Sequence, residues 1–237
     1  TIRSDYIFVC LPTPMTKAEG GECNLSILKN FFEEVSSIIT DGIFIIKSTV
    51  PIGTVDDIVK KYPDLKIVHN PEFLTASNAE QDFVEADRHV IGGTPELTNI
   101  VKQLYENYFP NTPVYTMRAK ESEAVKYFAN CFLASKVMIF NEMRLLCDEL
   151  TDVNYDKIID GVASDNRIGF SHTQVPGPDG DYGFGGTCFP KDINALIHTM
   201  EDFDIDPLVL KSVWKQNKNL RKKWDWSNNE SAVRSKL

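Results

Sequence analysis

The chain reads as an α/β protein in two parts: a parallel, doubly wound sheet over its first half, then an all-helical region built on one long helix. Three observations predict this. Short apolar runs alternate with amphipathic segments up to about residue 117, no convincing strand follows residue 118, and residues 119 to 150 contain neither glycine nor proline. Strands alternating with helices require right-handed crossovers. They therefore form a parallel sheet whose ligand crevice lies outside the carboxyl ends of the strands.

DYIFVCL (5 to 11) is a buried strand stopped by Pro12 and Pro14, because proline cannot donate to a central ladder. Leu25, Leu28, Phe31, Phe32, Val35, Ile38 and Ile39 then recur at helical spacing. GIFIIKST (42 to 49) is a second strand, so Thr13 and Thr49 fall in loops at the carboxyl ends of the first two strands. PIGTVDDIVKKY opens with Pro51 at a position suited to the first turn of a helix. KIVHN (66 to 70), HVIGG (89 to 93) and PVYTM (113 to 117) are further strands, with a helix from Pro95 to about Tyr108 between the last two. The segment 119 to 150 would run about 48 Å as one helix. It is apolar on more than one face, which predicts a buried spine or a subunit interface. A helix from about Tyr155 to Ala163 follows, then a loop rich in Gly and Pro from Ser164 to Thr187, and helices resume at Pro190 and Pro207. The predicted domains are 1–117, a sheet domain; 118–225, a helical domain; and 226–237, a polar tail that is loose at its end.

Composition excludes several classes. A net charge of −9, with Lys and Arg scattered among more numerous acids, argues against nucleic acid or an anionic membrane as partner. The longest apolar runs, IFVCL and GIFII, are far shorter than the roughly 18 residues that suggest a span. Cys10, Cys23, Cys131, Cys147 and Cys188 show neither a disulfide framework nor Cys-x-x-Cys metal spacing, so no metal site is predicted and a cytoplasmic location is expected. The chain begins at Thr1 and runs directly into a strand, with no signal peptide visible.

The densest cluster of chemistry is DYGFGGTCFPKD, residues 181 to 192. With Pro190 as the first helical residue, Phe189 falls near the N-cap and Cys188 just outside the helix start, where the helix dipole, free N–H groups and Lys191 favour thiolate. Gly183, Gly185 and Gly186 permit tight turns and close approach by a ligand. Lys126 and Asn130, at i and i+4 on the long helix, share a face and could both donate to an alcohol or alkoxide oxygen. Glu72 in NPEFL is a site carboxylate or a turn residue, and Asp192 a helix-terminal acid or the holder of a catalytic water. His172 is a candidate base for Cys188, against the plainer reading of an exposed loop histidine.

The glycine pattern G-x-G-x-x-G that follows the first strand of a dinucleotide-binding fold is absent. Either the sheet is of another type, or these strands are its second half. The segments VCLPTP (9 to 14), KSTVPIGT (47 to 54), NPEFL (70 to 74), EAVKYFANCFLASKVMIFNE (123 to 142), DNRIG (165 to 169) and GFGGTCFPKD (183 to 192) together resemble the UDP-glucose/GDP-mannose dehydrogenase family. The resemblance implies a partial Rossmann-type sheet lacking its first βαβ unit, followed by a helical central and dimerisation domain. It also implies NAD as cofactor and four-electron oxidation of a nucleotide sugar at C6, UDP-glucose to UDP-glucuronate. Cys188 resembles the nucleophile that adds to the intermediate aldehyde as a thiohemiacetal, which is oxidised to a thioester and hydrolysed. Lys126 and Asn130 resemble the pair at the reacting oxygen, Asp192 the residue that orients water, and Glu72 the glutamate near the site. Thr13, Thr49 and Lys191 fall where the family approaches the dinucleotide. Phe73, Leu74, Tyr182, Gly185 and Phe189 match substrate-loop positions, and Arg167 an arginine reaching the neighbouring subunit's sugar nucleotide. The broad apolar surface of the long helix predicts a homodimer through it. The chain departs at Thr75 and Ala76, where many relatives carry a glutamate, and it stops at Leu237 without a second Rossmann-like domain. A two-electron hydroxyacid-type dehydrogenase would use Lys126 and Asn130 without Cys188. A non-catalytic binding or assembly module and a Cys188–His172 thiol hydrolase are the other readings.

Overall fold

The computed structural model describes residues 4–38, 41–75 and 78–234. Ile39 of the expected first helix, Ala76 and the last three residues of the tail lie outside the described residues. The chain forms two compact units. The first takes in the residues up to Pro14, Cys23–Phe128 and Arg234; the second takes in Met15–Glu22 and Ala129–Val233. The division falls inside the long helix, later than the boundary at 117 expected from the strand pattern.

In the first unit, β1 (Tyr6–Val9), β2 (Ile43–Ile46), β3 (Lys66–His69), β4 (His89–Gly92) and β5 (Val114–Met117) form one sheet in sequence order. The pairs β1–β2, β2–β3 and β4–β5 are parallel. The β3–β4 pair is antiparallel, meeting at His69 and Gly92, so the wholly parallel sheet expected from the sequence is corrected to a mixed one. Parallel neighbours need a long crossover, usually a helix. Among the described residues between β3 and β4, the only helix is the short α3 (Ala79–Val84), which buries no residue.

The apolar runs of β2, β3 and β4 are continuous because both faces of the inner sheet are covered, whereas β1, expected to be buried, is an edge strand that leaves Phe8 exposed. Phe44 and Ile46 of β2 face α1 (Ser26–Val35) and α2 (Thr54–Lys61) through Leu28, Phe32, Val55 and Ile58. Ile43 and Ile45 face α4 (Pro95–Tyr108) through Val101 and Tyr105. The first helix stops at Val35 and leaves Ile38 exposed, short of the expected end. Pro51 does not open α2: it makes a turn, accepting from Thr54 N–H, and Gly53 at φ 102° leads into the helix.

The second unit is helical: α5 (Ala119–Glu149), which begins in the first unit, α6 (Tyr155–Ala163), α7 (Cys188–Glu201) and α8 (Leu208–Leu220). Tyr155 and Ile159 of α6 pack on Phe140 of α5. The start of the expected polar tail is anchored, and its last three residues lie outside the described residues. Trp226 is fully buried, its ring 5.4 Å from Trp214 and 5.7 Å from Trp224, and its indole N–H donates to the Ala18 carbonyl at 3.0 Å. Polarity of the surrounding residues hid this anchor, since one buried indole outweighs several solvated neighbours. Among the described residues no helix is long and apolar enough to cross a membrane.

Candidate active site

In the first unit the predicted positions gather at the carboxyl ends of β1, β2 and β3. Thr13 and Thr49 are both buried, and the Thr13 hydroxyl donates to the Thr49 carbonyl at 2.6 Å, joining the two loops. Lys126, on the first-unit stretch of α5, donates to the Glu72 carbonyl at 2.5 Å and to Glu72 Oε1 at 3.1 Å. Glu72 Oε2 accepts from the Leu74 N–H at 2.6 Å, which fixes the turn NPEFL around the lysine. Phe73 lies between two cations, its ring centroid 4.3 Å from the Arg88 guanidinium and 5.3 Å from Lys126 Nζ. Glu72 thus orients Lys126, and the ammonium can offer its remaining hydrogen to a ligand. Thr75 turns away to Asp82, which accepts from its N–H at 2.7 Å and from its hydroxyl.

Sequence reasoning passed over three neighbours of this group. Lys47, immediately after β2, donates to Asn70 Oδ1 at 2.8 Å, and the Tyr105 hydroxyl donates to the same oxygen. Burial lowers the Lys47 pKa to about 8; Cys10 and Glu72 oppose this and Lys126 adds to it. A lysine closing an apolar strand, IFIIK, was the available signal. His69 is wholly buried, its Nδ1 2.7 Å from the Ser122 hydroxyl, and burial pushes its pKa down to about 3, so it is neutral. Glu123 accepts from the N–H of Gly53 at 2.6 Å and of Val55 at 2.9 Å. The N-terminus of α2, an anion site by its dipole, is therefore occupied by the chain's own Glu123 carboxyl group.

In the second unit, Cys188 is the first residue of α7 and Thr187 the N-cap, so the thiol stands inside the first turn and not just outside the helix. Pro190 remains compatible, because no N–H of the first turn has an intrahelical partner for proline to remove. One turn on, the fully buried Asp192 accepts from Asn130 Nδ2 at 2.6 Å and pairs through its other oxygen with Lys191. Lys191 is thus directed to Asp192. The carbonyl of Asp192 also receives the Cys131 thiol at 3.7 Å; burial first, and Asp192 next, raise that thiol's pKa well above the ordinary range.

The remaining predicted residues divide. Phe189 packs its ring 5.9 Å from Phe184 and 5.7 Å from His172. His172 is corrected as a base for Cys188: its ring lies against Phe189, no described hydrogen bond joins it to the thiol, and burial, then Lys136, lowers its pKa. Tyr182 donates its hydroxyl to Asp148 at 3.1 Å. A Cβ on Gly185 would lie 2.4 Å from both Arg221 Nη2 and Asp225 Oδ1, so glycine is required there by the chain's own side chains. Arg167 is highly exposed and forms an ion pair with Asp165 at 2.5 Å. Lys126 and Asn130 occupy i and i+4 of α5, each bonded within its own unit. Among the described residues no cluster of His, Cys, Asp or Glu is arranged to hold a metal ion.

The NAD binding domain model of the UDP-glucose/GDP-mannose dehydrogenase family matches residues 1–109, and the central domain model of the same family matches residues 120–219. The chain belongs to the UDP-glucose/GDP-mannose dehydrogenase family. Among members of this family it is similar to a UDP-glucose 6-dehydrogenase of Rickettsia prowazekii, 37% identical over 227 residues that make up 90% of this chain and 49% of that protein. It is also similar to UDP-glucose 6-dehydrogenase YwqF of Bacillus subtilis, 31% identical over 92% of this chain and 49% of that protein. The solved UDP-glucose dehydrogenase of the archaeon Pyrobaculum islandicum superimposes with a TM-score of 0.79 at 30% identity, covering 91% of this chain and 50% of that one. The chain thus spans about half the length of the relatives it matches. The family's two matched domains follow one another here as sheet unit and helical unit.

Proposed function

We propose that the protein containing this chain is an NAD-dependent nucleotide-sugar dehydrogenase that oxidises UDP-glucose to UDP-glucuronate, with Cys188 as nucleophile. The observation that carries this reading is the first turn of α7. Cys188 opens the helix, and the buried Asp192, held by Asn130 and Lys191, stands one turn away on the same helix. A thiol with a positioned carboxylate nearby suits addition to an aldehyde followed by hydrolysis of a thioester.

The first two-electron step takes the C6 alcohol to the aldehyde, and Cys188 Sγ then adds to the carbonyl carbon to form a thiohemiacetal. By the family resemblance, Lys126 and Asn130 are the pair that stabilises the oxygen gaining negative character; Glu72 aims the first, and the second keeps one amide hydrogen beyond its bond to Asp192. The second two-electron step yields the thioester. Asp192 orients the water that cleaves it, releasing the acid and restoring the thiol. Bound NAD⁺ supplies the oxidant, one molecule for each two-electron step. Residues at the carboxyl ends of β1 and β2, with Thr13 bonded to the Thr49 carbonyl, fit one wall of a dinucleotide crevice. The N-terminus of α2 does not fit a phosphate, because Glu123 already holds its amides.

A homodimer along α5 is part of the proposal. Phe132, Ile139, Met143 and Leu146, with Leu150 just past the helix end, are exposed at spacings of three, four and seven and so form one apolar stripe. Sedimentation at micromolar concentration should give a dimer, and Leu146→Glu a monomer. The activity is tested by counting NADH per UDP-glucose for the complete natural protein and its Cys188→Ser variant. Two NADH, with the variant unable to finish the cycle, is the expected result. One NADH per substrate with full turnover by the variant would replace this reading with a two-electron dehydrogenase.

A further inference from the structure

The segment leading to Cys188 is gripped from three sides by the second unit. Asn141, on α5, accepts from the Gly183 N–H at 2.8 Å. Asn217, fully buried on α8, accepts from the Phe184 N–H at 2.7 Å and donates to the Phe184 carbonyl at 3.0 Å, closing both backbone groups of one residue. Asp225 accepts from the Gly186 N–H at 2.7 Å and is itself held by Arg221 Nη2 at 3.1 Å.

Arg221 is the centre of this grip. Its side chain is only 3% exposed and follows the last residue of α8. Its guanidinium donates to Asp179 at 2.7 Å and Asp225 at 3.1 Å, and its Nε to the Lys223 carbonyl at 3.1 Å. This uses the planar fork of donors that lysine lacks. Gly183 and Gly186 sit at φ of 69° and 73°, a region open to glycine that leaves an unrestrained loop many conformations. The fork and the two amides remove that freedom immediately before the thiol.

We propose that Arg221, acting through Asp225 and together with Asn217, is a positioning residue for Cys188: it fixes the glycine segment, and with it the place of the thiol at the start of α7. This rests on Cys188 being the nucleophile of the proposed reaction. Covalent attack tolerates little misplacement, so loosening the segment slows aldehyde oxidation more than alcohol oxidation, in which the thiol takes no part.

The test measures both steps separately in the complete natural protein, supplying the alcohol or the aldehyde of the sugar nucleotide, for wild type, R221M and R221K. The ratio of aldehyde to alcohol oxidation does not depend on the fraction of folded enzyme, so a merely structural role leaves it unchanged. R221M is expected to lower that ratio fivefold or more, with R221K in between; a smaller change overturns the proposal. If R221M fails to fold, R221K carries the test, a fall of about twofold or more supporting the proposal and a smaller one overturning it. If the wild type oxidises no aldehyde, the function proposed above has failed, and the rate of Cys188 carbamidomethylation by iodoacetamide, read by mass spectrometry, decides the positioning alone. A change of fivefold or more supports it, and less overturns it.

Discussion

Exchanging Glu123 for glutamine separates the forces that set the protonation of this buried carboxyl. Burial pushes its pKa from 4.5 up to about 7, and Asp56 acts in the same direction, while the N–H groups of Gly53 and Val55 and the Lys120 ammonium pull it down. The folded pKa lies above the unfolded one, so between pH 4.5 and 7 the folded state binds the extra proton. Stability from this group is therefore full below pH 4.5 and is lost as the pH rises through 7. A displacement of this size corresponds to about 3 kcal/mol between the two protonation states. Glutamine does not titrate, and its amide turns an N–H toward one of the two backbone donors, a pH-independent loss of about 1–3 kcal/mol. Wild type should thus be the more stable at pH 5, and its advantage should shrink by about 3 kcal/mol by pH 8. Native-state hydrogen exchange of the β2 and β3 amides in urea reads the correct unit, whereas Trp214, Trp224 and Trp226 all report on the other. Parallel stability curves, or a wild type that gains on the variant with rising pH, would show that the two amides hold the carboxylate ionised, and would refute the reasoning.

Asp192→Leu removes the carboxylate that faces Lys191 and Asn130 in the core and should cost about 3–5 kcal/mol in urea unfolding; a loss below about 1 kcal/mol would mean the pair adds little. Lys47→Met should abolish a rise in stability with pH. The folded pKa of about 8 lies below the unfolded 10.5, so this lysine's contribution is present above 10.5 and lost as the pH falls through 8; unfolding at pH 8 and pH 10 checks it. Gly185→Ala places a methyl 2.4 Å from Arg221 Nη2 and Asp225 Oδ1. It should destabilise the second unit by about 1–3 kcal/mol, read by tryptophan fluorescence, and an unchanged midpoint would mean the clamp yields without strain.

Much of the fold was legible because burial leaves a plain mark. IFII, and IVH after the exposed Lys66, are covered on both faces and so read as strands, and α4, α5 and α6 end within a residue or two of the limits expected from periodicity and from the absence of Gly and Pro. The direction of β4 was harder to read, because strand direction is carried by the connection and not by the strand. The absence of a long amphipathic segment between KIVHN and HVIGG was the available clue. Of the site, the residue types were visible: a cysteine after glycines and beside proline, a lysine and asparagine at i and i+4, a glutamate after a strand.

The partners of those residues were decided only when distant segments met. Lys191 seemed placed to serve the thiol, yet its charge is directed to Asp192, which also holds Asn130 from 62 positions away. The N-terminus of α2 could have received a phosphate, but Glu123 fills it from 70 positions along the chain. Gly185 resembled a glycine kept small for a ligand, and Arg221 and Asp225 occupy the space a side chain would need. Periodicity and turn chemistry are local and can be read along the chain. A buried charge or amide takes whichever partner the packed elements bring within about 3 Å, and that choice belongs to the tertiary structure.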